Sequence, residues 1–357
     1  MVTYMRIGRS TFYNVYNYGA VLQALALQQF LCSSSVHDVE LINYQIDEFK
    51  KLYSLNPLYG GPGMCLQRLL RLDKRYRQAK AFNNFIEQKL IQSKELDCKD
   101  VREYLNGFDV LVFGSDQIWN NNITGDDQFY YGALVPNSIK MISYAASFGT
   151  DLCNEAQKKL IQKYLRRFSK LSVREASGSM FIAEEIGKES TIVVDPVFLL
   201  SGEYWNGLQH KLNLQKNYIL YYSLQNNDEL IQKTNRLAQD NNLPIISIHP
   251  TAQKQRIKAK QLYDVNPGDF VYLIKNASFV CTNSFHAVAF STIFRKKTIH
   301  VSHTKSRGRV DNLLDILGIS EAQRHSIIDF SNARYDNLEN MIMDSKQFLL
   351  SALEEKQ

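Results

Sequence analysis

The sequence predicts an α/β protein built on parallel sheets and divided into two similar halves. Short apolar runs of strand type alternate with segments of helical periodicity along most of the chain. That rhythm stops at the polar stretch "SGEYWNGLQHKLNLQKN" (201–217) and restarts at "YILYYSL" (218–224). The length, 357 residues, exceeds what one typical core organises. The expected division is an N-terminal domain over 1–205, a second over 206–325, and a helical tail over 326–357.

The first element, "YMRIG" (4–8), is a short strand candidate, followed by a loop rich in Tyr and Asn. "GAVLQALALQQFL" (19–31) consists of strong helix formers with apolar residues at helical spacing, and its helix should begin near Ala20. "DVELINY" (38–44) is the next strand; after the break "YGGPG", residues 65–90 read as a long helix. Strands are then expected at "DVLVFG" (109–114), "IKMISYAA" (139–146), "LSVRE" (171–175) and "TIVVDP" (191–196). In the second half "YILYYSL", "PIISIHP", "SFVCTNS" and "KTIHVSH" are strands separated by helices, and 335–354 is an amphipathic helix. Two such series make two Rossmann-like domains facing a cleft, with parallel sheets covered on both sides.

Composition narrows the class. Apolar residues make up 45% and charged residues 22%, ordinary for a soluble globular chain, while 20 tyrosines and 19 phenylalanines are many. A net charge of +6 suits anionic ligands without requiring nucleic acid. The five cysteines contain no C-x-x-C pair, so they read as buried free thiols in a reducing compartment rather than as a zinc site. The N-terminus lacks a signal-peptide core and no apolar run approaches 18 residues, which predicts a cytoplasmic protein.

Ligands of open parallel sheets bind at the carboxyl ends of strands, so the turns there are the places to look for chemistry. Asn17, Tyr18 and Gly19 precede a helix, where a small residue lets a ligand approach the backbone N–H groups; a plain glycine turn explains the same residues. There is no G-x-G-x-x-G fingerprint and no P-loop. In "FGSDQIWN" (113–120), Asp116, Gln117 and Trp119 could bind and stack a sugar, or Asp116 could simply form a turn. Arg174 ends a strand, where a guanidinium could fork onto a carboxylate or phosphate, or pair with Glu175. Asp195 precedes a proline, and an extended turn accounts for it.

"FVCTNSFHAVAFSTIF" (279–294) holds the most suggestive pattern. If Ser284 caps the helix from Phe285, His286 lies in its first turn beside Thr282 and Asn283, where the dipole favours neutral imidazole and attracts an anion. Lys305, Arg307 and Arg309 then precede another helix; they form a solvated face or, beside an anion site, neutralise a phosphate. The run "LQRLLRLDKRYRQAKAF" (66–82) places six basic residues and one aspartate on a helix with leucines. It reads as a surface helix, or as a contact with an anionic membrane surface or a lipid-pyrophosphate carrier.

Taken together in order, "NYGAVLQALAL", "LINY", "DVLVFGSDQIWN", "ISYAASFG", "LSVREASG", "VVDPVFLL", "FVCTNSFHAVAFS" and "SRGRVDNLLDILG" resemble the polysaccharide pyruvyl transferases over most of the chain. The first strand, "YMRIGRSTF", departs from that family's more apolar run. The resemblance implies a GT-B-like pair of Rossmann-like domains and transfer of the enolpyruvyl group of phosphoenolpyruvate to a sugar, giving a pyruvate ketal and phosphate. It implies no metal or organic cofactor, and an acceptor carried on a lipid at the inner face of a membrane. His286 becomes the candidate acid/base and Arg174, with Arg307 or Arg309, the anion binder on the donor side beside Asn283 and Ser284. Asn17, Tyr18, Gly19, Asp116 and Gln117 would hold the acceptor. The competing readings are a glycosyltransferase using a nucleotide-sugar and a non-catalytic partner in glycan assembly.

Overall fold

The structure, a computed structural model, describes residues 4–34, 37–44, 46–56, 68–125, 127–208, 212–302 and 307–355. The N-terminal sheet contains β1 (Arg6–Ser10), β2 (Asp38–Leu41), β3 (Val110–Phe113) and β4 (Lys140–Ser143) in the order β2-β1-β3-β4, all parallel. The short pair β5 (Ser172–Val173) and β6 (Thr191–Ile192) continues it, because parallel bridges join Ile142 to Lys170 and Ala146 to Val173. The second sheet contains β7 (Ile219–Tyr222), β8 (Ile245–Ile248), β9 (Lys260–Leu262), β10 (Phe279–Thr282), β11 (Lys297–His300) and β12 (Ile328–Asp329). Its order is β12-β11-β10-β7-β8-β9, parallel except for the edge strand β12.

The chain is thus α/β with two Rossmann-like halves, as the alternating pattern predicts. Strands β3 and β7 are buried along their whole length, which is why they read as continuous apolar runs rather than as alternation. In each sheet the strand order reverses direction once, between β1 and β3 and between β7 and β10, and such switch points open crevices at the strands' carboxyl ends. β9 and β12 were outside the sequence expectation; they are edge strands of three and two residues, too short for periodicity to register.

The helix Tyr18–Ser34 explains how the halves join. It is buried all round, including Val21, Leu22, Leu25 and Leu27, because the N-terminal sheet covers one side and the second half covers the other. Tyr18 stacks on Phe270 of the helix Pro267–Asn276, centroids 4.8 Å apart and planes 6° apart, and one hydrophobic core runs through both halves. The helix starts two residues earlier than its composition suggests, since Asn17 Oδ1 accepts the N–H groups of Gly19 and Ala20. The final helix, Asp336–Glu354, returns to the N-terminal half, where Ser345 Oγ accepts the Val194 N–H at 3.0 Å.

The polar first strand has a local cause. Arg9 points inward and is fully buried, donating to Ala24 O at 2.7 Å and to Gln28 Oε1 at 2.9 Å, with burial depressing its pKa to about 9. The cysteines depart from expectation: Cys281 is buried, but Cys32 and Cys98 are exposed and Cys153 is half-buried. Cys32 falls in the last turn of its helix and Cys98 in a surface turn, positions that composition does not reveal. Cys65 lies outside the described residues. No helix among the described residues is long and apolar enough to cross a membrane.

Candidate functional site

Two helix N-termini, one from each half, meet at the junction. One begins at Tyr18; the other is the helix Phe285–Ile293, which follows β10 directly. His286 occupies the first turn of the second and lies against Gly19 in the first turn of the other. A Cβ on Gly19 would stand 2.1 Å from His286 Nδ1 and 2.2 Å from Cγ, so only glycine leaves room for the imidazole. Gly19 is therefore required by close approach of the ring, not by a turn conformation.

Ser284 holds the N-cap position before His286, but its side chain makes no capping hydrogen bond; Thr282 Oγ1 instead accepts the Ser284 N–H at 3.0 Å. Asn283 braces the turn after β7, accepting the Leu224 N–H on Oδ1 at 2.8 Å and donating from Nδ2 to Gln225 O at 3.4 Å. The Thr282 and Asn283 side chains are thus committed to shaping the strand end.

Asp195 is the residue around which the charged groups gather, and the turn reading of "VVDP" understates it. Its Oδ1 caps a short 3₁₀ turn by accepting the Val197 N–H at 3.1 Å, as a turn residue would. Its Oδ2 accepts Arg174 Nη1 at 2.5 Å and lies 3.4 Å from His286 Nε2. That last contact has ionic range but not hydrogen-bond alignment, so Nε2 has no hydrogen-bond partner. Burial pushes the Asp195 carboxyl up, but the neighbouring His286 and Arg174 outweigh it and hold it well below the usual carboxylate range.

Arg174, only 4% exposed, follows β5 and also lies 3.8 Å from Asp116 Oδ1 and 3.9 Å from Glu175 Oε1. Burial lowers its basicity, yet Asp195, Glu175 and Asp116 more than restore it and leave its pKa raised. Its Nε and Nη2 have no hydrogen-bond partner, and neither has Glu175 Oε2. Ser147 Oγ donates to Glu175 Oε1, and Arg309 Nε lies 3.9 Å from the same oxygen. The Phe285 ring carries Arg174 at 5.1 Å and Arg309 at 5.9 Å from its centroid. Burial lowers the Arg309 pKa, and the nearby Arg174 cation adds to that.

Two guanidiniums, Arg174 and Arg309, and three carboxylates, Asp116, Glu175 and Asp195, therefore share this site, with His286 beside them. A small pocket, open to solvent, adjoins it. Arg174, Asp195 and Arg309 line it together with Phe198, Leu313 and Met341. Isolated orphan donors inside a protein are costly, and here several converge on one place, which is the signature of a ligand site.

The remaining candidates divide. Asp116 sits at a left-handed φ of 67° at the carboxyl end of β3 and faces Arg174. Gln117 is taken up locally: its Oε1 accepts Asn120 Nδ2 at 2.8 Å and presses on Gly149, whose Cβ would stand 2.0 Å away. Tyr18 lies in the aromatic core. Trp119 is fully buried against Tyr131, Phe148 and Phe168, which corrects its reading as a sugar-stacking ring. Arg307 begins the helix Arg307–Ile316; Lys305 lies outside the described residues. Sequence reasoning missed Glu175 as a site residue, reading it only as a partner of Arg174, and took Asp195 for a turn former.

The model of the polysaccharide pyruvyl transferase family matches residues 17–305. No curated protein is significantly similar in sequence. Among solved structures, one assigned as a UDP-N-acetylglucosamine 2-epimerase of Listeria monocytogenes superposes with a TM-score of 0.51 at 11% identity, covering 99% of this chain and 97% of its own. The UDP-GlcNAc 2-epimerase of Methanocaldococcus jannaschii superposes at 0.44 and 14% identity, covering 98% and 99%. The first of these likenesses supports the GT-B arrangement of the two halves.

Proposed function

The chain belongs to the polysaccharide pyruvyl transferase family, and within it we propose that this protein transfers the enolpyruvyl group of phosphoenolpyruvate to a sugar of a polysaccharide precursor, closing a pyruvate ketal. One observation carries the reading: His286, Asp195 and Arg174 form a single buried cluster that draws on both halves and leaves Nε2 of His286 and Nε and Nη2 of Arg174 unbonded.

Phosphoenolpyruvate brings a carboxylate and a phosphate. Arg174 offers a planar fork to one of them, Arg309 a second cation, and the helix N-terminus at Phe285 adds aligned N–H groups. In this scheme His286 takes part as its imidazolium, 3.4 Å from Asp195. That imidazolium, steadied by Asp195, then stands ready as a general acid. C3 of the enol phosphate takes the proton, C2 gains cationic character, and a sugar hydroxyl adds to C2, its proton passing to the phosphate that will leave. A second hydroxyl attacks C2 as phosphate leaves, its proton returning to His286, so one phosphate is released for each ketal formed. The proposed step uses no metal or organic cofactor; side chains and backbone dipoles supply the charge. Acceptor sugars would enter from the Gly19 and Asp116 side, carried on a lipid at the cytoplasmic face of a membrane.

The test is release of phosphate from phosphoenolpyruvate by the purified protein with galactosyl or N-acetylmannosaminyl lipid-linked acceptors, with mass spectrometry of the product. Calorimetric binding of a uridine or guanosine sugar nucleotide in place of phosphoenolpyruvate would overturn the donor assignment.

A further inference from the structure

A second group of arginines lies apart from the Arg174 cluster. The helix Leu72–Lys89 and the turn before it present Arg68, Arg71 and Arg75 at intervals of three and four residues, all half-buried, on one face that continues into the buried Gln78, Ala79 and Phe82. This face is fastened to both halves. Arg75 Nη2 donates to Ser54 O at 2.8 Å, Arg68 Nη1 reaches Asn56 O at 3.4 Å, and Gln78 Nε2 donates to His249 O at 2.8 Å. Lys74 lies 4.4 Å above the ring of Tyr263.

His249 follows β8, so the stripe lies on the carboxyl-end side of the second sheet, the same side as His286 after β10. Tyr16 continues inward from it, edge-on to Tyr53 at 5.3 Å and to Phe82 at 5.7 Å; Phe82 in turn packs on Tyr18, the neighbour of Gly19.

The stripe is uncompensated. Among the described residues no carboxylate lies within ion-pair distance of Arg68, Arg71 or Arg75, whereas Asp73, on the exposed face, pairs with Arg77 at 3.2 Å. Arg75 feels the crowding: after burial, its pKa is lowered chiefly by the charges of Arg68 and Arg71. Three like charges held together by backbone anchors at two of them, without carboxylates, cost free energy unless an anion joins them. Leu69 and Leu70, 51% and 75% exposed, stand beside the stripe.

We propose that Arg68, Arg71 and Arg75 form a subsite for a phosphate or diphosphate group on the acceptor, at the outer end of the Tyr53–Tyr16–Tyr18 path to His286. The inference deepens the acceptor side of the proposed function and rests on that reading. The diphosphate can be borne by a soluble sugar or by a lipid, and the test separates the two.

Inorganic pyrophosphate is titrated by calorimetry into the full chain and into the double variant Arg68→Gln/Arg71→Gln, whose half-exposed side chains can be removed without opening the core. Thermal melting confirms the fold. The expected result is a tenfold or greater loss of pyrophosphate affinity at this site, on the order of one charge-assisted contact per arginine, with phosphoenolpyruvate affinity unchanged. Arg71→Lys should keep most of it. Retention on phosphatidylcholine vesicles with and without phosphatidylglycerol identifies the source. Weaker retention of the double variant on the anionic vesicles alone marks a lipid-borne group, and unchanged retention a soluble one. Pyrophosphate affinity equal in the two proteins would overturn the subsite. Failure of phosphoenolpyruvate to bind either protein would instead sink the donor assignment, leaving the pyrophosphate result to stand by itself.

Discussion

His286 and Gly19 meet face to face across the junction of the two halves, with the Nδ1 side of the imidazole against the glycine Cα, where a Cβ would lie 2.1 Å away. Each residue is in the first turn of its helix, so a change at Gly19 acts directly on the proposed acid/base group of the other half.

Gly19→Ala should therefore displace the imidazole while leaving the helix intact, since alanine is the better helix former. A displacement of about 1 Å at a reacting group can cost on the order of 100-fold in turnover. Steady-state kinetics should show that loss in kcat, with a melting temperature close to the parent's. Full activity would mean that the ring's seat on Gly19 is irrelevant to catalysis.

His286→Gln keeps a hydrogen-bonding side chain of similar reach but cannot carry the proton. Turnover should fall by about 100-fold or more, within the usual range for general acid–base catalysis. A variant with full turnover and an intact fold would remove His286 from the mechanism.

Arg174→Lys and Arg174→Ala separate forked recognition from simple charge. Lysine restores one cation but not the planar pair of N–H groups, so both variants should lose phosphoenolpyruvate affinity. Near-parental affinity in Arg174→Lys would show that charge alone is sufficient.

Asp195→Asn removes the charge that pairs with Arg174 and attracts the imidazolium, and should lower kcat more than it raises KM. It also changes the acid side of the stability curve. The Asp195 carboxyl is depressed in the folded chain, so its contribution is present above the unfolded value of about 4 and is lost as pH falls towards the lower folded value. Melting curves should show a shallower acid loss in Asp195→Asn, above which the variant is the less stable protein. An unchanged acid limb would show that Asp195 is not ionised by its neighbours.

Two other histidines govern stability at mild acid. Burial lowers the pKa of both His249 and His300 to about 4, from an ordinary value near 6.5. With the folded value below the unfolded one, the unfolded chain takes up the protons first as pH falls. Stability is then constant above about 6.5, declines between about 6.5 and 4, and levels off below, by up to roughly 3 kcal/mol per histidine. Replacing either with Gln should flatten that decline in a melting series; an unaltered slope in both variants would assign the decline to other groups.

Much of this architecture was legible because burial on both faces leaves a direct trace in residue order. The runs "DVLVFG" and "YILYYSL" are apolar throughout, and β3 and β7 sit in sheet interiors. His286 and Arg174 were visible as polar residues just beyond such runs, where the strand-end rule directs attention. Asp195 was not, because its cap on Val197 accounts for an Asp-Pro turn by itself; only the approach of Arg174 and His286 distinguishes it. Trp119 misled for the converse reason: an aromatic after a strand can face the cleft or the core, and its Nε1–H, bonded to Tyr130 O, is satisfied inside.

The sequence by itself determined the two βα series, the strand ends at which chemistry could occur, and family membership over 17–305. Those follow from patterns local in the chain, where each residue's neighbours are set by helical or strand spacing. Only the tertiary structure decided that Asp195 joins Arg174 to His286, that Gly19 seats the imidazole, and that Trp119 and Tyr18 belong to the core. Such contacts join residues tens to hundreds of positions apart, and their energies depend on distance and desolvation that no local spacing encodes.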